Sequence, residues 1–327
     1  RVAGRVSAVG SANGAKRVRR KLDGVLLLDK PLGMSSNQAL QAARRLLNAQ
    51  KGGHTGTLDP LATGLLPLCF GEATKFAGEL LDADKTYSAT LRLGVTTDTG
   101  DAEGRELVHR EVFSSRAEVL EVLMQFLGEI EQIPPMYSAL KRDGKPLYEY
   151  ARAGLELERQ PRRITIHQLV MTDWSKDHVS VEVTCSKGTY IRTLAEDIGE
   201  RLGCGAHLIA LRRIATGGMS VSAAISLGSL EQMSEAQRDS ALLPSDALIV
   251  HLPAVQLDDG KRDRLMHGQP IEYPGAPVGG VSAAPTDGFT QNAENRIRLY
   301  DRNGQFLGLG MLTNDGWCQP LRLVATN

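Results

Sequence analysis

Metal-ligand spacing, a membrane span and net charge are all missing from this chain of 327 residues. Its four cysteines (Cys69, Cys185, Cys204, Cys318) are scattered, the nearest two nineteen positions apart. That spacing builds neither a zinc knuckle nor a redox pair, and reads as reduced, mostly buried thiols of a cytosolic protein. The seven histidines show no HxxxH or similar spacing, so no metal site is expected. No apolar run approaches the roughly 18–20 residues of a membrane span, and the N-terminal stretch lacks the apolar core of a signal peptide. A soluble, intracellular protein with no membrane partner is expected. Lys plus Arg equals Asp plus Glu at 38 each, so total charge names no partner.

The distribution of charge says more. Residues 1–22 carry seven bases (Arg1, Arg5, Lys16, Arg17, Arg19, Arg20, Lys21) and no acid. Such a run is a solvated, disordered tail or an arm that reaches for nucleic acid. "GVLLLDKPLGMSS" then reads as a strand entering a turn at Asp29, Lys30 and Pro31, followed by a helix capped by Ser36 and running to about Asn48. "KTYSATLRLGV" (85–95) alternates as a strand, and "DTGDAEG" (98–104) is an acidic turn. Ser115 with Glu118 forms a capping box before a helix with apolar positions Val119, Leu120, Leu123, Met124 and Leu127.

Residues 133–163 interleave four prolines, three tyrosines and seven bases. That mixture suits contact with nucleic acid, or is an ordinary surface insertion. "RITIHQLVM" and "HVSVEVTCS" are strands. Ile191, Leu194, Ala195, Ile198 and Leu202 make a helical stripe that stops at Gly203. Arg192 then lies in a first helical turn, where the dipole disfavours a cation by some tenths of a kcal/mol. From about residue 251 the chain turns to "RIRLYD", "FLGLGML" and "PLRLVAT", a small β domain with a Pro/Gly/Ala loop at 274–288.

In "HTGTLDPLATG" (54–64) Asp59 is a lone acid, with none within ten positions on either side. Pro60 pushes it toward an extended backbone among permissive glycines, so the loop presents its carboxylate. On pattern alone the commonest role is a plain Asp-Pro turn. A phosphate-cradling loop fails, because no Lys-Ser/Thr follows Gly64 and the loop holds an acid. The remaining chemistry is attack on a sugar carbon. A glycosidase needs two carboxylates, but a nucleobase leaving group that carries its own negative charge removes the need for the second.

"GGHTGTLDPLATGLLPLCFGEATKF" resembles the catalytic loop of the TruB family of tRNA pseudouridine-55 synthases, of the bacterial stand-alone type. "LLLDKPLGMSSN", "DKTYSATLRLG", the 133–152 segment and "CSKGTYIRTLAEDIGERLGCGAHLIALRRI" are similar to that family in the same order, from about Gly24 to Leu227. The resemblance implies an α+β pseudouridine synthase fold, with a mostly antiparallel central sheet and flanking helices over residues 23–249. A thumb insertion at about 133–163 and a small β-rich PUA-type RNA-binding domain over 250–327 would complete it. It also implies isomerisation of a uridine in the tRNA T arm with no cofactor and no metal. The N1–C1′ bond breaks, the uracil turns, and C5 joins C1′.

By the same resemblance Asp59 attacks C1′ or assists a glycal route, and Arg192 pairs with it and lowers its pKa. Tyr87 stacks on the uracil and relays a proton. His54 fills the space of the flipped nucleotides, Tyr190 and Leu211 line the uracil pocket, and Lys30 supports the Asp59 loop. The thumb would close on the T stem-loop and the C-terminal domain would touch the acceptor side. A guide-RNA-dependent relative generally lacks the thumb, so no guide RNA is expected, and a monomer is the default. A tRNA-folding chaperone with little or no catalysis is the alternative.

Overall fold

β1 (Gly24–Lys30) has only one residue that is not fully buried, as a near-continuous apolar run requires of a strand inside a sheet. The structure is a computed structural model that describes residues 18–273 and 295–325. The loop expected at 274–288 and most of the basic tail lie outside the described residues. The last part of that tail is held rather than solvated. Arg20 N–H donates to Asn48 O at 2.7 Å, and its guanidinium pairs with Asp239 and Glu235.

β1 pairs antiparallel with β3 (Ala62–Phe70), and β2 (Gly52–His54) also lies against β3. The ten-stranded sheet continues from β3 through strand Ala206–Thr216, β4 (Lys85–Leu93), His178–Cys185 and Arg162–Trp174 to Gly128–Gln132. Strand Ile225–Ser226 pairs parallel with β1, and Ala206–Thr216 pairs parallel with β3. The other pairings along this path are antiparallel. The α+β expectation therefore holds, with a mostly antiparallel sheet and helices against it. β4 shows the period of two that its sequence requires, burying Lys85, Tyr87, Ala89, Leu91 and Leu93.

Two helical expectations need correction. Helix α1 (Ser36–Leu46) is capped by Ser35, not Ser36, in a capping box with Gln38. It ends where Asn48 turns to φ 52°, two residues short of the expected limit. Helix Arg116–Met124 has its Ser115–Glu118 box, but only Val119 and Leu123 of the expected stripe are buried. Leu120, Met124 and Leu127 face solvent, because the helix packs with its Val119–Leu123 side on strand Arg162–Trp174 and helix Ile191–Arg201.

The C-terminal residues form a separate five-stranded sheet, in the order Ala254–Gln256, Arg296–Tyr300, Phe306–Leu312, Trp317–Leu323 and Ile271–Glu272. Helix Asp259–Met266 is added to this β-rich stretch; its one buried residue, Leu265, gives no periodic signal. This sheet has its own apolar centre around Leu257, Leu265, Ile297 and Leu299. A second cluster joins it to the large sheet. Leu309 and Val324 pack with Leu65, Cys69 and Phe76, and the Phe76 and Phe306 rings meet edge to face at 5.4 Å.

Candidate active site

The 54–64 loop is clamped at three points. Ser36 is freed from capping and buried, and its hydroxyl accepts from Leu58 N–H at 2.7 Å and donates to Leu58 O at 3.1 Å. Gly33 N–H donates to Pro60 O at 2.8 Å, tying the turn after β1 to the residue following Asp59. At the far end Gly64 has φ +98°, and a Cβ there would stand 2.3 Å from Arg213 O. Only glycine allows β3 to run that close to its neighbour. Ser36→Ala is expected to destabilise the protein by about 1–3 kcal/mol, because both Leu58 backbone groups lose their partner. Ser35→Ala should cost only about 1 kcal/mol, and urea unfolding of the two variants separates the effects.

Lys30, expected to support the Asp59 loop, lies at the end of β1 in the turn beside it. It is fully buried, and its ammonium donates to Pro31 O at 2.9 Å and Met34 O at 2.5 Å, shaping the turn that presents Gly33. Burial pushes its pKa down to about 8, against the pull of Asp59. His54 ends β2 half-buried, its pKa lowered by burial and then by Arg213, with Nδ1 buried and without a partner.

Arg192, 5% exposed, comes from the first turn of helix Ile191–Arg201 and reaches Asp59 with Nη2–Oδ2 at 3.0 Å. It is held from behind, donating to Thr99 O at 2.9 Å and Tyr137 O at 2.6 Å. This explains a cation at a helix start: the dipole penalty is small beside two carbonyls and a carboxylate in a poorly solvated place.

Arg192 lowers the Asp59 pKa as expected but does not set its net direction. Burial raises it, Arg192 opposes, and Asp101 adds to the rise. Asp101 belongs to the acidic turn, to which the sequence pattern alone assigns no role in the site. Its carboxylate is 5% exposed and lies 3.6 Å from Arg192 Nε. Asp59 is thus alone in the chain but not in space: one guanidinium serves two carboxylates.

Tyr87 is buried on β4, its phenol pKa raised by burial and opposed by Arg213. Tyr190 immediately precedes the Arg192 helix, its pKa also raised by burial. Leu211 lies opposite Ala62 of β3 on one side and Ala89 of β4 on the other. The sheet and the clamped loop therefore bring Asp59, Arg192, Tyr87 and Lys30 into one electrostatically linked set that Tyr190 also feels, while His54 is coupled to Arg213. Tyr190 and Leu211 stand on the elements that flank it. Among the described residues no cluster of His, Cys, Asp or Glu is arranged to hold a metal ion, and no helix is long and apolar enough to cross a membrane.

The 133–163 insertion forms a short hairpin, Lys141–Arg142 with Lys145–Pro146, and a helix, Leu147–Arg152. Its bases lie over its tyrosines: Arg152 on Tyr148 at 5.3 Å and Lys145 on Tyr150 at 4.8 Å. A cavity of about 580 Å³ lies between this insertion, the acidic turn and the Arg192 helix. Glu196 lines it, with a pKa raised to about 7 by burial and by Asp197.

A mostly antiparallel sheet that carries a clamped aspartate, its arginine and a buried tyrosine is the pseudouridine synthase fold. A solved H/ACA RNP bound to a substrate RNA containing 2'-deoxyuridine superposes with a TM-score of 0.67 at 24% identity, over 93% of this chain and 85% of that one. A Cbf5-Nop10-Gar1 complex gives 0.65 at 27% identity, over 89% and 78%.

Within that fold, the model of the TruB family pseudouridylate synthase N-terminal domain matches residues 44–191. The tRNA pseudouridylate synthase B C-terminal domain matches 192–250, and the pseudouridine synthase II TruB C-terminal model matches 253–324. The tRNA pseudouridine synthase B of Dechloromonas aromatica (strain RCB) is 53% identical over 94% of this chain and 98% of its own length. That of Burkholderia mallei (strain ATCC 23344) is 54% identical over 95% and 97%. The chain belongs to the TruB family of pseudouridylate synthases.

Proposed function

We propose that this synthase acts on tRNA, converting uridine 55 of the T arm to pseudouridine without metal or cofactor. The observation that carries the chemistry is the 3.0 Å pair of Asp59 and Arg192, which fixes one carboxylate whose charge reaches the buried Tyr87. In this reading the target nucleotide is flipped from its loop at a cost of a few kcal/mol, and His54 occupies the vacated space. The uracil stacks on Tyr87 in a pocket completed by Tyr190 and Leu211. Asp59 attacks C1′ or assists a glycal route, the N1–C1′ bond breaks, and C5 bonds to C1′ after the base turns. The departing base never leaves, so a second carboxylate acting as an acid is not needed, and Asp101 tunes Arg192 instead.

The tRNA substrate is supported by relatives named tRNA pseudouridine synthase B at 53–54% identity. Basic and aromatic residues of the 133–163 insertion would close on the T stem-loop, as a thumb. The β-rich domain from 250 onward, of PUA type, would contact the acceptor side. No guide RNA is required, since the insertion supplies contacts of the enzyme's own.

Purified protein incubated with a T-arm stem-loop transcript, with and without a chelator, should form pseudouridine at the same rate in both cases. Tight tRNA binding without pseudouridine would instead establish the chaperone reading, and loss of activity on chelation would overturn the metal-free one.

A further inference from the structure

Arg213 is 1% exposed, the largest fully buried side chain among the described residues, and no carboxylate pairs with it. Its Nε donates to Leu65 O at 2.7 Å, but Nη2 is buried without a hydrogen-bond partner. A buried charge left this open is costly, and chains retain such groups where function requires them.

The sheet register shows what it faces. Lys30 pairs with Gly64, Gly64 with Arg213, and Arg213 with Tyr87, a single row across four strands. Within that row, Nη1 would stand 3.7 Å from a Cβ built on Gly56, so the guanidinium also lies against the catalytic loop. Its charge acts on the phenol of Tyr87, its partner in the sheet register, and on the His54 ring. Among neighbouring sequence positions, Arg212 makes a bidentate pair with Asp29 and is accounted for as a strand tie. Arg213 has no such structural partner.

We infer that Arg213 is a positioning residue for Tyr87: its guanidinium holds the phenol oxygen from behind, fixing the ring and polarising the hydroxyl that meets the substrate base. Its open Nη2 is the donor that closes on the phenol oxygen when the base docks, since active-site hydrogen bonds often tighten only in the substrate complex. The lone pair is engaged by Arg213, which leaves the hydroxyl hydrogen free to point at the base. No covalent step passes through Arg213. This role rests on the reading of Tyr87 as the residue beneath the uracil.

The test uses the full chain labelled with ¹³Cζ-tyrosine. The Tyr87 resonance is assigned by its disappearance in Tyr87→Phe. Arg213→Met should move that resonance, in free and tRNA-bound protein, and slow single-turnover pseudouridine formation by about 10–100-fold, with tRNA affinity within about twofold of wild type. Arg213→Lys keeps the charge but not the planar fork, and should fall between the two. An unmoved Tyr87 resonance would overturn the proposal, as would a rate loss matched by an equal loss of tRNA affinity. If Arg213→Met does not fold, the resonance and the single-turnover rate of Arg213→Lys decide the proposal by the same criteria. A Tyr87→Phe enzyme with wild-type rate would remove the reading of Tyr87 itself, which the resonance shift does not depend on.

Discussion

Asp59→Asn is expected to lower single-turnover pseudouridine formation by at least about 10³-fold while tRNA affinity stays within about twofold. Asn keeps the shape of the loop and a carbonyl oxygen facing Arg192, so the clamps through Ser36 and Gly33 survive. What disappears is the only carboxylate that the loop presents. The variant should also melt no lower than wild type. Asp59 has a folded-state pKa above its unfolded value, because burial disfavours the charge. Its ionisation therefore subtracts from stability as pH rises from the unfolded to the folded pKa, and the whole subtraction is present above both. Asparagine lacks that charge. A large loss of rate beside an unchanged or raised melting temperature is the mark of a functional carboxylate held against the interest of stability; pseudouridine formation persisting in this variant would reject the nucleophile assignment.

Replacing Arg192 should be the second largest effect and should carry a direction in pH. Arg192→Met is expected to slow the reaction by about 10²–10³-fold, as loss of a preorganised charge at a reacting group does. It removes the main influence that lowers the Asp59 pKa and leaves burial and Asp101, which both raise it. The acid limb of the rate profile should then move to higher pH, since the proposed reaction needs ionised Asp59 and would be lost as pH falls through its pKa. Asp101→Asn removes one of the raising influences, so the same limb should move the other way. Opposite displacements in the two variants, read from single-turnover rates across pH, would establish that one guanidinium is shared between the carboxylates. Displacement in one direction for both would refute it. Arg192→Met also leaves two carbonyls without their donor and a nearly buried Asp101 carboxylate without its counter-charge, with Thr99 and Glu103 still donating to it. An unfolding loss on the order of 3 kcal/mol is expected alongside the kinetic effect.

The sequence carried the elements whose signal is local. β4 alternates, the Ser115–Glu118 box reads off its spacing, and Gly203 ends its helix at φ +76°. Asp59, Tyr87 and Arg192 became legible through the blocks that contain them, not through any property of a single residue. What escaped depends on packing. Ser35 and Ser36 are equally good caps by composition, and only the approach of Leu58 decides which hydroxyl faces the loop. In "LRRI" either arginine could point into the sheet; the register against β3 and β4 buries Arg213 and leaves Arg212 on Asp29. Asp101 was hidden for a related reason: its partner is 91 positions away in the chain. The net rise in the Asp59 pKa could not be foreseen either, because burial is a property of the fold and Arg192 alone points the other way.

The apolar seam between the two sheets has a consequence for modular engineering. Leu65 and Cys69 belong to β3, the strand that leaves the catalytic loop, and they meet Leu309 and Val324 across the seam. Beside it, Arg296 grips Glu79 at 2.7 Å. A cut near residue 250 would therefore not release a self-contained catalytic cartridge: it would strip one wall from the strand that anchors the loop. A grafted C-terminal module would have to supply matching apolar side chains on that seam before its own RNA preference could matter.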